Sequence, residues 1–174
     1  TAAQICEGQQ LDMNYEVRDD VTIDEYLNMI ELKTAVLLGA SLKIGALIGG
    51  AKKKDADLLY NFGLNAGIAF QLQDDILDVY GESTKVGKQK GGDILSQKKT
   101  FLLLKALELS EDTEELDQWL QSDKESEIVP AVTAIYNQLG VKAMAEERMW
   151  KFYHSGIDNL EKVEGNLEWT AVLK

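Results

Sequence analysis

The stretch that decides the fold is Phe70-Gln71-Leu72-Gln73-Asp74-Asp75-Ile76-Leu77-Asp78. It lies near the end of an unbroken helical pattern that runs from Asp55 to Tyr80. On a helix, Asp74 and Asp78 lie one above the other, and Asp75 flanks the same stripe. Carboxylates this close repel one another unless a cation lies between them. The stretch therefore predicts a long helix with a cation site near its end.

Helical periodicity continues along the rest of the chain. The other predicted helices run from the N-terminus to about Val17 and over Ile23–Leu32, Thr34–Ile48, Phe101–Leu109, Thr113–Gln121, Ser126–Leu139 and Val141–Leu160. Thr22 and Glu25 have the spacing of a capping box at the start of the second of these helices, and Lys33 marks a kink after it. Small residues along Thr34–Ile48 predict a central helix, because they let backbones approach closely. One proline and no sustained period-two alternation make all-α the predicted fold class.

A long polar loop is predicted over residues 82–97, which are rich in Gly, Lys and Ser. It contains Gly87-Lys88-Gln89-Lys90-Gly91-Gly92-Asp93 and is followed by Lys98-Lys99-Thr100. Loops of this length in a compact helical domain are usually functional. Mg²⁺ prefers oxygen ligands and shares its coordination shell with substrate phosphates, which the lysines would contact. The carboxylates and the lysines together predict a diphosphate–magnesium site.

The composition argues against several classes of partner. The 174 residues fit one domain, and their net charge of −12 argues against non-specific nucleic-acid binding and against a polybasic membrane anchor. The most apolar stretch, Thr34–Ala51, contains Lys43 and falls short of a membrane span. The single cysteine, Cys6, cannot form an internal disulfide, which indicates a reducing compartment. We expect Cys6 to be buried as a small apolar side chain.

Several short elements occur in a fixed order along the chain. Phe-Gln followed by Asp-Asp-x-x-Asp covers residues 70–78, Gly-Lys-x-x-Gly-x-Asp covers 87–93, and Lys-x-Thr covers 98–100. Upstream of them, Gly-Gln-x-x-Asp covers 8–12, and a Tyr…Lys-Thr element covers 26–34. In all of these elements the chain resembles the trans-isoprenyl diphosphate synthases, the farnesyl and geranylgeranyl diphosphate synthase family.

The resemblance, which is close from the N-terminus to about Leu109, implies the isoprenoid synthase helical bundle. It also implies a Mg²⁺-dependent transferase that condenses isopentenyl diphosphate with an allylic diphosphate. In that family pattern, Asp74 would coordinate Mg²⁺ directly, while Asp75 and Asp78 would act through metal-bound water. Gln9 and Asp12 would face the metal cluster from a neighbouring helix.

The resemblance also assigns the residues that contact the substrates. Three lysines would contact the allylic diphosphate as point charges, and they are Lys33, Lys88 and Lys98. The oxygens of Thr34 and Gln71 would lie beside the developing cation and stabilise its positive charge. The ring of Phe70 would line the pocket for the isopentenyl group.

Part of the family's pattern does not occur in this chain. The family has a first aspartate-rich motif dozens of residues before the Gly-Gln-x-x-Asp element, and the basic residues that bind isopentenyl diphosphate lie further upstream. The first residues look like the middle of a helix. We therefore expect residues 1–174 to be the C-terminal part of a single isoprenoid synthase domain, inactive alone. The resemblance leaves the product chain length open and implies a cytoplasmic homodimer, with Thr34–Ile48 in part of the interface.

Three other kinds of function remain open. A non-catalytic regulatory subunit on the same fold can lack metal-binding aspartates, whereas Asp74, Asp75 and Asp78 are all present. Terpene cyclases and head-to-head condensing enzymes also use aspartate-rich helical bundles, but the Gly-Lys loop and Lys-Lys-Thr favour elongation. A plain helical interaction domain would carry the same aspartates as a solvated surface.

Overall fold

The fold is all-α, as predicted. The computed structural model describes residues 1–81, 90–110 and 112–164, and these residues contain no strand. Their α-helices are α1 (Ala2–Tyr15), α2 (Ile23–Ile30), α3 (Val36–Ile48), α4 (Lys53–Tyr80), α5 (Gly92–Leu95), α6 (Phe101–Leu109), α7 (Glu114–Leu120), α8 (Glu125–Gln138) and α9 (Val141–Leu160). The predicted helix ends agree with these to within 2 residues, apart from α5, which was not predicted.

The start of α2 confirms the predicted capping box. The backbone N–H of Glu25 donates to Thr22 Oγ1 over 3.2 Å, and the backbone N–H of Thr22 donates to Glu25 Oε2 over 2.9 Å. Arg18 Nη1 also donates to Glu25 Oε1 over 2.9 Å. Two N–H groups that helix geometry would leave unpaired are therefore satisfied by local side chains, so the sequence alone defines this helix start.

A π-helical turn, Glu31–Ala35, joins α2 to α3. The backbone N–H of Val36 bonds to the carbonyl of Glu31, five residues back, instead of four. The kink predicted at Lys33 is therefore a local widening of a continuous helix. Such π-turns are found frequently at functional sites, because the extra residue changes the direction of neighbouring side chains.

The predicted loop over residues 82–97 is partly helical, which is a correction. Residues 82–89 lie outside the described residues, but Gly92–Leu95 forms the short helix α5. Gly91 precedes it with φ 77°, a left-handed conformation that glycine adopts without strain. The Gly91 N–H donates to the carbonyl of Asp78 over 2.8 Å, so α5 starts from a contact with the end of α4. A four-residue helix built on such a contact has no hydrophobic period to predict it.

The chain divides into two compact units, each built from separate segments. The first comprises the described residues of Thr1–Asp12, Leu27–Gln71 and Met149–Lys174, and the second those of Met13–Tyr26 and Leu72–Arg148. In the second unit, α5, α6 and α7 all pack against α8. Its most deeply buried apolar side chains include Leu72, Leu102, Leu116, Val132 and Tyr136.

In the first unit, the predicted close approach of α3 is confirmed, but its predicted central position holds for one face only. A Cβ on Gly63 of α4 would lie 2.9 Å from Gly39 Cα of α3, so side chains there would force the helices apart. The opposite stripe of α3 is exposed, because Leu37, Ile44 and Ile48 have relative exposures of 52%, 57% and 83%. The helix therefore contributes to the core through its small residues and leaves large apolar ones on the surface.

Two further observations concern the burial of Cys6 and the hydropathy of the helices. Cys6 is exposed on α1, so its predicted burial is wrong; nothing in the local sequence showed which side of a weakly amphipathic helix would face outwards. Within the described ranges, no helix combines the length and the hydropathy that a membrane crossing requires.

Candidate active site

The predicted site residues of the first unit lie where α1 touches the π-helical turn. Gly8 of α1 packs closely against the backbone of the turn. A Cβ on Gly8 would lie 2.3 Å from the backbone nitrogen of Lys33. Only glycine allows this approach. The Gly-Gln-x-x-Asp and Lys-Thr elements, separated in the sequence, are therefore in direct contact.

Lys33 and Asp12 form an ion pair across this contact. Lys33 Nζ lies 2.6 Å from Asp12 Oδ2, and the two side chains are 34% and 18% exposed. The family pattern assigns Lys33 to a diphosphate and Asp12 to a metal, whereas here each is the other's partner. A half-buried ammonium and carboxylate this close form a charge-assisted hydrogen bond.

The other predicted residues of the first unit differ in their exposure. Thr34 Oγ1 donates to Gln71 Oε1 over 3.4 Å, so the two side chains assigned to the developing cation are adjacent. Gln9 is exposed on α1, and Phe70 is 61% exposed on α4. The structure therefore brings four predicted residues of this unit together as two pairs.

In the second unit, the three aspartates of α4 do not share one environment. Asp74 and Asp78 are half-buried, one helical turn apart, whereas Asp75 is only 2% exposed. Tyr26 of α2 donates its hydroxyl proton to Asp75 Oδ2 over 2.6 Å, and Tyr26 itself is 1% exposed. The sequence predicted three crowded carboxylates on one stripe. The structure corrects this, because Asp74 and Asp78 form a half-buried pair while Asp75 is buried.

Asp78 is linked through α5 to Lys98. The backbone N–H of Asp93 donates to Asp78 Oδ2 over 3.0 Å, which satisfies an N–H at the start of α5. Lys98 Nζ lies 3.4 Å from Asp93 Oδ1, and the Lys98 N–H donates to the Asp93 carbonyl over 2.9 Å. Asp93 therefore holds Lys98 on the same side of the unit as Asp78. Lys88, the third predicted lysine, lies outside the described residues.

The electrostatics of this cluster favour a cation. Burial raises the pKa of the Asp93 carboxyl above its ordinary value, Lys98 lowers it, and Asp78 and Asp74 raise it again. Burial, with a further contribution from Asp75, raises the pKa of the Tyr26 hydroxyl well above its ordinary value. Tyr26 therefore keeps its proton at neutral pH and acts as the donor. Asp78 and Asp74 contribute to the raised Asp93 pKa after burial, and a bound cation would offset that contribution.

The donor set fits Mg²⁺ in a particular way. Among the residues that the structure describes, no three His, Cys, Asp or Glu side chains are arranged to hold a metal ion by themselves. Asp75 accepts from Tyr26, and one oxygen of Asp78 accepts from Asp93. Mg²⁺ is usually bound by one or two carboxylates together with water and substrate phosphates. Asp74 and Asp78 supply a carboxylate pair of that kind.

Sequence reasoning left two residues of the second unit without a firm function. Tyr26 is identified in the sequence only as the first residue of the Tyr…Lys-Thr element, and Asp93 only as the last residue of the Gly-Lys-x-x-Gly-x-Asp element. Both contact the aspartate cluster directly. The only sequence signal was their place within recurring elements, because their partners lie 49 and 15 residues away in the chain.

Comparisons with known proteins agree with the resemblance. The family profile described as "Polyprenyl synthetase" matches residues 1–139. A geranylfarnesyl diphosphate synthase of Natronomonas pharaonis is 39% identical over 166 residues, covering 95% of this chain and 48% of the relative. A geranylgeranyl pyrophosphate synthase of Geoglobus acetivorans is 37% identical over 161 residues, covering 92% of this chain and 49% of the relative.

Solved structures give the same result for the fold. A crystal structure of geranylgeranyl pyrophosphate synthase superimposes with a TM-score of 0.92 at 38% identity, covering 99% of this chain and 55% of that chain. A polyprenyl synthetase from Streptomyces coelicolor A3(2) superimposes with a TM-score of 0.88 at 28% identity, covering 97% of this chain and 53% of that chain. The chain thus spans about half the length of the relatives it matches. Since the family profile matches most of the sequence, the chain belongs to the polyprenyl synthetase family.

Proposed function

We propose that the intact protein is a polyprenyl diphosphate synthase that condenses isopentenyl diphosphate with an allylic diphosphate by 1'-4 elongation. The proposal places it in the cytoplasm, consistent with a single cysteine, and gives it Mg²⁺ as cofactor. The observation that carries the proposal is the second-unit cluster. Asp74 and Asp78 form a carboxylate pair, and Asp93 holds Lys98 beside them. A carboxylate pair beside a lysine suits a diphosphate that binds together with Mg²⁺, because the carboxylates attract the metal and the lysine attracts the phosphates.

The reaction requires a diphosphate to leave with both electrons of its C–O bond, which produces an allylic carbocation. Bound Mg²⁺ would neutralise the charge that develops on the departing diphosphate. Lys98 would add a fixed positive charge on the departing diphosphate. The family pattern also assigns Lys33 of the first unit to the allylic diphosphate. The double bond of isopentenyl diphosphate then forms the new C–C bond, and loss of one proton to the departed diphosphate restores neutrality at carbon.

In this proposal, the Thr34–Gln71 pair of the first unit stabilises the developing carbocation. The hydroxyl of Thr34 donates to Gln71, so lone pairs of both oxygens can be directed towards a neighbouring positive centre. Oxygen dipoles held in advance stabilise a cation without reorganising during the reaction. The family pattern also assigns Gln9 and Asp12 to the metal, and the exposed ring of Phe70 would line the isopentenyl pocket.

An elongation assay tests the proposal directly. The intact protein would be incubated with Mg²⁺, isopentenyl diphosphate and, in turn, dimethylallyl, geranyl or farnesyl diphosphate, and the products identified by mass spectrometry. We expect elongated products from the intact protein and none from the 174-residue chain alone, since that chain spans about half of its relatives. Cyclised hydrocarbon products would support a terpene cyclase. No product with any primer would support a regulatory subunit.

We also propose that the intact protein is a homodimer and that α3 contributes to the contact. Leu37, Ile44 and Ile48 recur at helical spacing on one exposed stripe, which is the pattern of a helix face that packs against another protein surface. A second copy presents the same apolar stripe, as a two-fold interface requires.

Sedimentation analysis of the intact protein tests this interface. Ile44→Lys is expected to shift a dimer towards monomer at micromolar concentration, because it places an ammonium in an apolar contact. The matched control is Val17→Lys, which makes the same change at a side chain that is 86% exposed outside α3. An unchanged dimer for Ile44→Lys, or an equal shift for both variants, would contradict the assignment of α3.

A further inference from the structure

We propose that Tyr26 is a positioning residue for the Asp74–Asp78 carboxylate pair, acting through its hydrogen bond to Asp75. The inference rests on the proposed function and goes beyond it, because it assigns a task to a residue that contacts neither substrate nor metal. Tyr26 and Asp75 belong to the same compact unit, and their side chains meet although 49 residues separate them in sequence.

The pair is too strong and too deeply buried to be incidental. The oxygen–oxygen distance of 2.6 Å is that of a charge-assisted hydrogen bond to a carboxylate. Relative exposures of 1% for Tyr26 and 2% for Asp75 exclude water from the bond. A buried carboxylate costs stability unless it is hydrogen-bonded, and apolar residues of similar volume are often as stable as a buried polar pair or more so. A buried polar pair that stability does not require is consistent with a role in orientation.

The geometry of α4 explains what such a bond would orient. Asp75 lies about 100° from Asp74 and about 60° from Asp78 around the helix axis, and it is the only one of the three that is buried. Fixing Asp75 from the buried side therefore fixes the rotation of α4 about its axis at this point. That rotation decides where the carboxylates of Asp74 and Asp78 point.

A second constraint acts on Asp78 itself. Asp78 Oδ2 accepts the N–H of Asp93, which holds this carboxylate from the direction of α5. With Tyr26 bonded to Asp75 and Asp93 bonded to Asp78, the end of α4 is held at two points. Outer hydrogen bonds of this kind orient ligating carboxylates, and their loss typically lowers metal affinity about 10–100-fold.

The test uses the intact protein and the variant Tyr26→Phe, which removes a single oxygen atom. Isothermal titration calorimetry with Mg²⁺ and inorganic pyrophosphate as the probe gives a readout independent of turnover. We expect Tyr26→Phe to weaken Mg²⁺–pyrophosphate binding about 10–100-fold. The Mg²⁺ concentration for half-maximal elongation should rise in parallel, while the KM for isopentenyl diphosphate stays unchanged.

Tyr15→Phe is the matched control, because Tyr15 is also buried, at 4% exposed, lies in the same unit, and has Arg18 and Glu25 as its charged neighbours. It is expected to leave Mg²⁺–pyrophosphate binding unchanged, whatever its effect on stability. If Tyr26→Phe lowers only the unfolding temperature, or if both variants weaken binding equally, Tyr26 is a packing residue and the proposal is wrong. If the unaltered protein elongates substrates while Tyr26→Phe binds the probe normally, the proposed function stands and this inference alone fails.

A second variant covers poor folding of Tyr26→Phe. The double substitution Tyr26→Phe with Asp75→Leu replaces the polar pair by an apolar one and removes the unpaired buried charge, which restores stability. Binding of Mg²⁺–pyrophosphate should stay weak in this stable protein, because the orienting bond is gone. Binding as tight as in the unaltered protein would overturn the proposal.

Discussion

Replacing Asp74 by alanine is expected to lower kcat/KM of the intact protein for elongation by about 10³-fold or more. The structure explains why no neighbouring carboxylate would compensate. Asp75 is buried and accepts the Tyr26 hydroxyl, and one oxygen of Asp78 accepts the Asp93 N–H. Reorienting either one would break a hydrogen bond to a group that then remains unsatisfied.

The loss should be specific to the chemistry and not to the fold. Asp74 is half-buried near the end of α4, and we expect the unfolding temperature of Asp74→Ala to stay within about 4 °C of the unaltered protein. The control is Asp158→Ala, which removes an exposed carboxylate from α9 and should leave kcat/KM unchanged. Chelation of Mg²⁺ should abolish elongation in the unaltered protein and in the control alike.

Two results would contradict this prediction. One is elongation by Asp74→Ala at a rate similar to that of the control at saturating Mg²⁺. The other is a loss of activity accompanied by an equal loss of folded protein, which near-ultraviolet circular dichroism would detect. The first would move the metal away from α4, and the second would make Asp74 a structural residue.

Replacing Gly8 by alanine is expected to destabilise the protein by about 1–3 kcal/mol. A Cβ at this position would lie 2.3 Å from the Lys33 nitrogen and 2.7 Å from the Lys33 Cα. Both are backbone atoms, so no side-chain rotation can relieve the overlap, and α1 must move away from the π-helical turn. The same movement would displace the π-helical turn that carries Lys33, the lysine that the family pattern assigns to the allylic diphosphate. We therefore also expect a KM for the allylic diphosphate raised about tenfold, corresponding to one lost charge-assisted hydrogen bond of the diphosphate.

Gly45→Ala is the matched control, because a Cβ on this helical glycine would meet no atom within 4 Å. It should leave stability unchanged or raise it by up to about 1 kcal/mol, since alanine is the better helix former. Urea unfolding of the unaltered protein, of Gly8→Ala and of Gly45→Ala checks the prediction. Equal midpoints for Gly8→Ala and Gly45→Ala would show that α1 does not lie against the turn as the structure places it.

Local features were predicted well because the sequence contains their full cause. The capping box at Thr22 and Glu25 needs only two side chains three residues apart, and its hydrogen bonds are formed as expected. The helices were predicted from period and terminators, which act within one segment. The kink at Lys33 was predicted, but its form as a π-helical turn depends on which carbonyl the Val36 N–H selects.

Features that depend on distant partners were not predictable in the same way. The helix α5 starts from a bond between Gly91 and Asp78, and the exposure of Cys6 depends on what packs against α1. Asp75 was grouped with Asp74 and Asp78 because helical spacing places them near one another. Its burial follows from the position of Tyr26, which no local pattern specifies.

The sequence by itself determined that the chain is helical, where most helices begin and end, and that its elements resemble those of one enzyme family. Those properties depend on residues close together in the chain, because spacing along a helix fixes which side chains share a face. Only the tertiary structure decided that Lys33 pairs with Asp12, that Asp75 belongs to Tyr26, and that Asp93 connects Asp78 to Lys98. These pairings depend on packing between segments far apart in sequence, because burial and backbone approach select one partner among many that are chemically equivalent.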